Sequence, residues 1–335
     1  MNNQTLLTVN NLSVYIYANQ RCNKAVQNVS FEVQKGKILG MIGESGCGKS
    51  ITASAIIQLL PELARIESGE IIFHDSEEGD IRIDSLDKNS KEMRKIRGEK
   101  IAMIFQDPMT ALNPVYTVGF QIMESLRYHR KLSKKQAKQR SIELLREMGI
   151  PSPERRINEF PHQYSGGMRQ RAMIALAMAC NPKFLIADEP TTAIDVTIQA
   201  QIFELMFKLK NQYDMTILLI THDMGVIAEL ADDVVVMYMG NIVEKGSVEE
   251  ILMNAVHPYT RALLKCIPIL GKGKTQELEP IKGTTPDPYD RPQGCQFYPR
   301  CEYGTDKCLE FPETCYISNT HAVKCWHHMK VLENG

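Results

Sequence analysis

An α/β protein is predicted, built on a largely parallel sheet, with an all-helical insertion in its middle and a cysteine-rich C-terminal extension. Three observations carry this. The short apolar runs ILGMIG, FLIAD, TILLIT and VVVMYM alternate with helical stretches, as the buried strands of a parallel sheet do. Between Phe105 and Cys180 the strand pattern gives way to helical periodicity. After Val256, a stretch rich in Gly, Pro and Lys (268–294) leads into a tail that holds five of the nine cysteines.

Each element follows from its local pattern. Val29, Phe31 and Val33 alternate with Asn28, Ser30, Glu32 and Gln34, so this strand has one buried and one wet face. A second strand, ILGMIG, follows the turn at Gly36. From Lys49 to Leu60 the pattern is helical and stops at Pro61, whose ring cannot continue a helix. Within the insertion a helix is expected over Gln121–Arg130, and the next opens with the capping box Ser133 to Gln136 and closes at Gly149. The core is expected to end near Val256, after a helix capped at Ser247, and HPYTRALLKCI then forms a short helix with Pro258 at its first position. Two domains follow, 1–256 with a helical part at about 107–180, and the extension 257–335.

Composition narrows the function. With 43% hydrophobic and 24% charged residues the chain is an ordinary globular protein, which excludes disorder and a disulfide scaffold for the whole. Its 39 Lys and Arg against 40 Asp and Glu provide no field to gather nucleic acid, so no nucleic-acid partner is expected. No apolar run reaches the length of a membrane span, and MNNQTLLTVNN lacks the basic and apolar regions of a signal peptide, so the expected compartment is the cytosol. In a reducing compartment, clustered cysteines suggest a metal before disulfides.

GESGCGKS, Gly43 to Ser50, fits the phosphate-loop pattern GxxxxGK[ST] between an apolar strand and a helix. Gly43, Glu44, Ser45, Gly46, Cys47, Gly48, Lys49, Ser50 and Ile51 form the candidate cradle: its backbone N–H groups and the helix N-terminus favour a polyphosphate. Lys49 is expected at the β- and γ-phosphates of ATP and the Ser50 hydroxyl on Mg²⁺. FLIADEP places Asp188 and Glu189 at the C-terminal end of an apolar strand, the edge where open α/β sheets bind ligands. Asp188 is expected to hold Mg²⁺ through water, and Glu189 to polarise the attacking water.

YSGGMRQR (Tyr164–Arg171) precedes the apolar helix AMIALAMAC. Here the sequence resembles the ATP-binding-cassette family, whose signature centres on Ser-Gly-Gly before such a helix. The order matches too: the phosphate loop, Gln106 after IAMIF, the signature, Asp188 and Glu189, Asp195 in TTAID, and His222 after TILLIT. The resemblance implies a P-loop NTPase core of RecA-like type with a helical subdomain. It also implies that Ser165, Gly166 and Gly167 meet the ATP of a facing cassette, that His222 contacts the γ-phosphate, and that Gln106 senses Mg²⁺ and the water while linking core to insertion. Tyr17 is the candidate for stacking on adenine, with Tyr15 close by.

IFQDPMTALNPVYTVG, FPHQYSGGMRQR, EPTTAIDVTIQAQI, HPYTRALL and PQGCQFYPRC look like the oligopeptide and dipeptide importer branch. The departures are small: Tyr164 stands where Leu or Phe is common, and HDSEEGDIRIDSLDKNS is not distinctive. The branch implies two transmembrane permease subunits, a second homologous ATPase forming a heterodimer, and an extracellular substrate-binding protein. It places this chain on the cytoplasmic face of the plasma membrane. Nickel or metal-chelate importers share the branch and are the alternative; a soluble non-transport cassette ATPase is another, against which stands a single uninterrupted cassette, and a nonhydrolysing regulatory cassette is opposed by the presence of both Glu189 and His222.

The tail cysteines are spaced too widely for a compact zinc ribbon, whereas four thiolates on irregular loops suit an iron-sulfur cluster. Resemblance to the branch implies Cys295, Cys301, Cys308 and Cys325 as ligands of a [4Fe-4S] cluster, with Cys315 the extra thiol. A thiol-rich fold without metal, or a zinc site recruiting His321, His327 or His328, are the alternatives.

Overall fold

A computed structural model describes residues 4–18, 20–107, 111–191, 195–266 and 280–333. The chain opens with β1 (Thr5–Ala18), β2 (Arg21–Gln34), β3 (Ile38–Ile42), α1 (Lys49–Ile56), β4 (Ala64–Asp75) and β5 (Gly79–Arg82). Then come α2 (Lys91–Lys95), β6 (Ile101–Ile104), α3 (Val118–His129), α4 (Lys134–Glu147), α5 (Pro153–Arg156) and α6 (Gly166–Met178). Next are β7 (Phe184–Asp188), α7 (Val196–Tyr213), β8 (Thr216–Ile220), α8 (Met224–Leu230), β9 (Asp233–Tyr238) and β10 (Asn241–Ser247). The chain closes with α9 (Val248–Asn254), α10 (Pro258–Lys265), β11 (Cys315–Tyr316), β12 (Ala322–Val323) and α11 (His328–Glu333). Among the described residues no helix is long and apolar enough to cross a membrane.

Two compact units result, one from residues 1–85 with 221–335 and one from 86–220. In the first, β2, β1, β4 and β5 form an antiparallel sheet in that order. Its registers set Leu7 opposite Val33 and Phe73, and Val9 opposite Phe31 and Ile71. Alternation therefore puts Leu7, Val9, Phe31, Val33, Ile71 and Phe73 in one core, none more than 2% exposed. Burying such a side chain stabilises by about 1.5–3 kcal/mol. In the same unit β3 runs parallel to β9, β9 antiparallel to β10, β10 antiparallel to β12, and β12 antiparallel to β11. The last two strands are the tail's, so the extension continues the sheet edge that β10 presents.

The second unit holds β6, β7 and β8 as parallel neighbours, with Ile101 beside Phe184 and Phe184 beside Thr216. Every residue of β7 and β8 is buried, as their unbroken apolar runs require. The expected insertion is helical and starts where its caps lie. Thr117 accepts from the N–H of Phe120 to open α3, Ser133 and Gln136 form the capping box of α4, and Ser165 caps α6. Gly149, at φ 71°, turns the chain out of α4 as its sequence position suggests.

Two boundaries differ: α3 starts at Val118, three residues before the expected Gln121, because Thr117 caps it there. The helix expected to reach Leu60 ends at Ile56, because Gln58 takes a positive φ of 54°. Its side-chain amide donates to the carbonyl of Ile83 at 2.9 Å, a tertiary contact that proline-based reasoning could not supply.

Candidate functional site

The phosphate loop is a tight structure held by its own polar groups. It leaves buried β3 and enters α1 through Gly48, which has φ 104° and lies so close to the carbonyl of Ala25 that a Cβ would stand 2.4 Å from that oxygen. Only glycine fits both demands. Lys49 is 5% exposed, and its Nζ donates to the carbonyls of Gly43 (2.7 Å) and Glu44 (3.1 Å). The ammonium thus lies across the loop's mouth. Thr52 donates its hydroxyl to the Gly48 carbonyl, and the Cys47 carbonyl accepts from the N–H of Gly240, tying the loop to the β9–β10 turn. Ser45 and Gly46 are exposed at the tip, while Ser50 is half-buried and Ile51 follows in the first turn of α1. Burial pushes the Cys47 thiol up, against the opposing pull of Lys49, so it stays a neutral packing group.

Glu44 is pinned harder than any motif predicts. Its N–H donates to the hydroxyl of Tyr259 at 2.8 Å. Its carboxylate accepts from Arg300 twice, at 2.7 and 3.1 Å, and from the Thr285 hydroxyl at 3.3 Å. Tyr259, Thr285 and Arg300 all lie beyond Val256, more than 200 residues from the loop in sequence, and no local signal marks them.

His222 in the same unit is exposed, directly after Thr221, whose N–H bonds the Met41 carbonyl of β3 at 3.3 Å. Asp223 caps α8 by accepting from the N–H groups of Gly225 and Val226, which sets the backbone that carries His222. Tyr17 is 42% exposed on the antiparallel sheet, in a pocket lined with Glu62, Leu63, Arg65 and Glu67. Its hydroxyl donates to Glu67 at 2.7 Å, and this bond pushes its pKa up to about 12. The residue stays exposed while its hydroxyl is fixed.

In the second unit the structure brings the acidic strand end and Gln106 together. Asp188 ends β7 at 4% exposure, and Glu189 leaves the strand with a φ of 45°, a left-handed conformation rare for a side-chain-bearing residue. The N–H of Glu189 bonds the Ile220 carbonyl at 2.9 Å, and Gln106 Nε2 donates to Glu189 Oε2 at 2.9 Å. A strained backbone held by neighbours and a carboxylate aimed by an amide are what a positioned base requires. Gln170, buried on α6, donates to the carbonyl of Pro190, so the helix behind the signature is tied to the turn that follows Glu189.

The signature itself is a helix N-terminus. Ser165 caps α6, and Ser165, Gly166 and Gly167 line a surface pocket together with Asp195, Arg171 and Ile198. A Cβ on Gly167 would stand 2.9 Å from the Ile198 side chain, so glycine lets α6 approach α7. Asp195 caps α7, its carboxylate accepting from the Ile198 N–H at 3.0 Å.

The tail thiols are gathered but not set as a metal site. The Cys295 N–H bonds the Cys308 carbonyl at 2.8 Å, and Cys308 and Cys325 are buried. Burial first, then the neighbouring Cys295 and Cys308, push the Cys301 thiol up to about 11; burial and the thiols of Cys295, Cys301 and Cys308 push Cys325 up to about 12. The four thiols implied as ligands therefore feel one another. Cys315 instead packs against an apolar cluster of Val256, Val323 and Cys325. However, among the described residues no group of three or more His, Cys, Asp or Glu is placed to hold a metal ion. As they stand, these residues do not fit the expected cluster, and no step is drawn through one. Nor does His321 turn to the thiols: its Nε2 bonds Glu244, at 2.8 Å.

Comparison with known proteins bears on both regions. A family model described as ABC transporter matches residues 26–192, and one described as Oligopeptide/dipeptide transporter, C-terminal region, matches 243–308. The Dipeptide transport ATP-binding protein DppD of Haemophilus influenzae is 47% identical over 330 residues, 98% of this chain and 97% of its own. The Oligopeptide transport ATP-binding protein OppD of Bacillus subtilis is 50% identical over 305 residues, 90% of this chain and 83% of its own. Among solved structures, a dimeric ATP-binding cassette in a post-hydrolysis state, bound to ADP and Pi, is similar with a TM-score of 0.63 at 26% identity, covering 72% of this chain and 99% of that one.

Proposed function

This chain belongs to the ABC transporter ATPases, in the branch with the oligopeptide/dipeptide C-terminal region, and from that premise we propose that it drives peptide import by hydrolysing ATP. The observation that carries the reading is the union, in one chain, of the cassette and that C-terminal region, matched along nearly the whole length of a dipeptide transport relative.

The residues take the following roles. Lys49 and the backbone of Gly43–Ser50 hold the β- and γ-phosphates, with the N-terminus of α1 behind them. The hydroxyl of Ser50 and the carboxylate of Asp188, hard oxygen donors both, are the residues that would hold Mg²⁺, which supplies charge neutralisation on the phosphates. Glu189 orients and deprotonates the attacking water, Gln106 holds the Glu189 carboxylate in place, and His222 contacts the γ-phosphate. The exposed Tyr17 offers its ring to adenine. Ser165, Gly166 and Gly167 present a capped helix N-terminus to the ATP of a facing cassette, with Asp195 beside them.

Because the signature serves the partner's nucleotide, the working assembly is a head-to-tail pair with a second, homologous ATPase. That pair works with two permease subunits on the cytoplasmic face of the membrane and, through them, an extracellular substrate-binding protein. The functional division is a cassette over 1–256, with its helical part at about 107–180, and an extension over 257–335. A [4Fe-4S] cluster on Cys295, Cys301, Cys308 and Cys325 rests on the mutual proximity of those thiols alone and requires them to draw closer as thiolates. Iron and sulfide analysis after anaerobic purification tests it, and zinc without iron would sink it.

The transport reading is tested on the chain co-expressed with its genomic neighbours and reconstituted in lipid. ATPase activity should rise when the binding protein is loaded with a peptide mixture. Stimulation by a nickel chelate and not by peptides would overturn the substrate, and failure to assemble with any membrane subunit would overturn the transporter.

A further inference from the structure

A carboxylate is an awkward group in a loop built for polyphosphate, because like charge opposes the ligand the loop exists to bind. Glu44, second residue of the phosphate loop, carries one. The fold answers this charge from the far end of the chain. The Arg300 side chain is 4% exposed, and its two terminal nitrogens donate to the two oxygens of Glu44, the paired geometry that makes guanidinium–carboxylate contacts strong. The guanidinium is itself fixed. Its Nε donates to the Lys282 carbonyl at 2.9 Å, Nη1 reaches the Tyr238 hydroxyl at 3.2 Å, and its centre lies 5.7 Å from the ring of Phe297 and 5.8 Å from that of Tyr238. Tyr259, fully buried between Tyr238 and Phe297, then accepts the backbone N–H of Glu44, whose carbonyl in turn accepts from Lys49.

We infer that Arg300 and Tyr259 of the C-terminal extension are positioning residues of the nucleotide site: Arg300 neutralises Glu44 and, with Tyr259, holds the phosphate loop in the shape that receives ATP. Neither touches the nucleotide; both act through Glu44, and through it on Lys49. The extension is thereby part of the ATP site of its own cassette. This rests on the reading of the loop as an ATP site.

The test measures the ATP dependence of turnover in the lipid-reconstituted transporter, together with nucleotide affinity of the full chain. Arg300→Met keeps an aliphatic stem against Tyr238 and Phe297, which guards against a folding failure. It should raise the KM for ATP about tenfold, the scale of one charge-assisted hydrogen bond, with kcat within about twofold. Arg300→Lys should recover part of the loss. Adding Glu44→Gln to Arg300→Met should return KM toward wild type, and the single variant's defect should shrink as salt rises, which a merely structural defect would not do. An unchanged KM in Arg300→Met, or no recovery in the double variant, overturns the inference. Wild-type turnover, and its loss in Lys49→Ala, report separately on the parent reading: without turnover that reading falls and takes this one with it.

Discussion

At the scale of single residues, the arrangement at Glu189 is the most informative. Its φ of 45° costs on the order of 1–3 kcal/mol for a residue with a side chain, and the Ile220 carbonyl and the Gln106 amide hold it there. Replacing Glu189 with Gln keeps the shape and removes the base. Turnover should fall by about a hundredfold or more while ATP remains bound, seen as nucleotide that co-purifies or fails to dissociate. Wild-type turnover in that variant would refute the assigned role. Lys49→Ala should instead abolish tight nucleotide binding, because it removes the ammonium that bonds the Gly43 and Glu44 carbonyls of the loop. Glu189 and Lys49 were readable from their motifs. The clamp on Glu44 was not, since Arg300 lies 256 positions away and arginine in a loop signals nothing locally.

At the scale of elements, α10 shows how a cap becomes a pH sensor of stability. His257 is 1% exposed and caps the helix by accepting the Tyr259 N–H on Nδ1, so its neutral form is required. Burial pulls its pKa down to about 4, with Glu244 opposing. The unfolded chain, near 6.5, binds a proton that the folded chain refuses. Stability is thus complete above about pH 6.5 and is lost as pH falls toward about 4, by up to roughly 3 kcal/mol. Chemical denaturation across this range should show the loss, and His257→Asn, which can still cap, should flatten it. The helices themselves were predictable from their caps, Ser133 with Gln136 and Ser247 with Glu250. The early end of α1 was not, because a contact from Gln58 to Ile83 decides it.

For the whole molecule, the decisive feature is how the tail closes on the sheet of its unit. Glu244, fully buried on β10, accepts from the N–H groups of Val256 and His257 and from His321 of the tail. Outside it, Glu250 accepts from Ser318 and Thr320 while also completing the cap of α9. His321→Ala should destabilise the chain by about 2 kcal/mol, since it strips one partner from a buried carboxylate, measured by thermal or urea unfolding. Truncation after residue 310 removes β11 and β12 and bares the edge of β10. Such an edge invites pairing with other chains, so the truncated protein should aggregate at concentrations where the full chain stays monomeric in sedimentation.

By itself the sequence determined the chemistry: the phosphate loop, the acidic strand end, the capped signature helix and the run of buried strands are local patterns, and local patterns are written in neighbouring residues. It also determined the family, because those patterns recur in order. Only the tertiary structure decided what the extension does to the loop. The partners of Glu44 stand 215 to 256 positions away, and residues that far apart are joined by the packing of strands and rings rather than by spacing. It decided as well that Cys308 and Cys325 are buried and that Cys301 and Cys325 have their thiols pushed up by burial, since burial depends on what surrounds a thiol and not on how many residues separate it from the next.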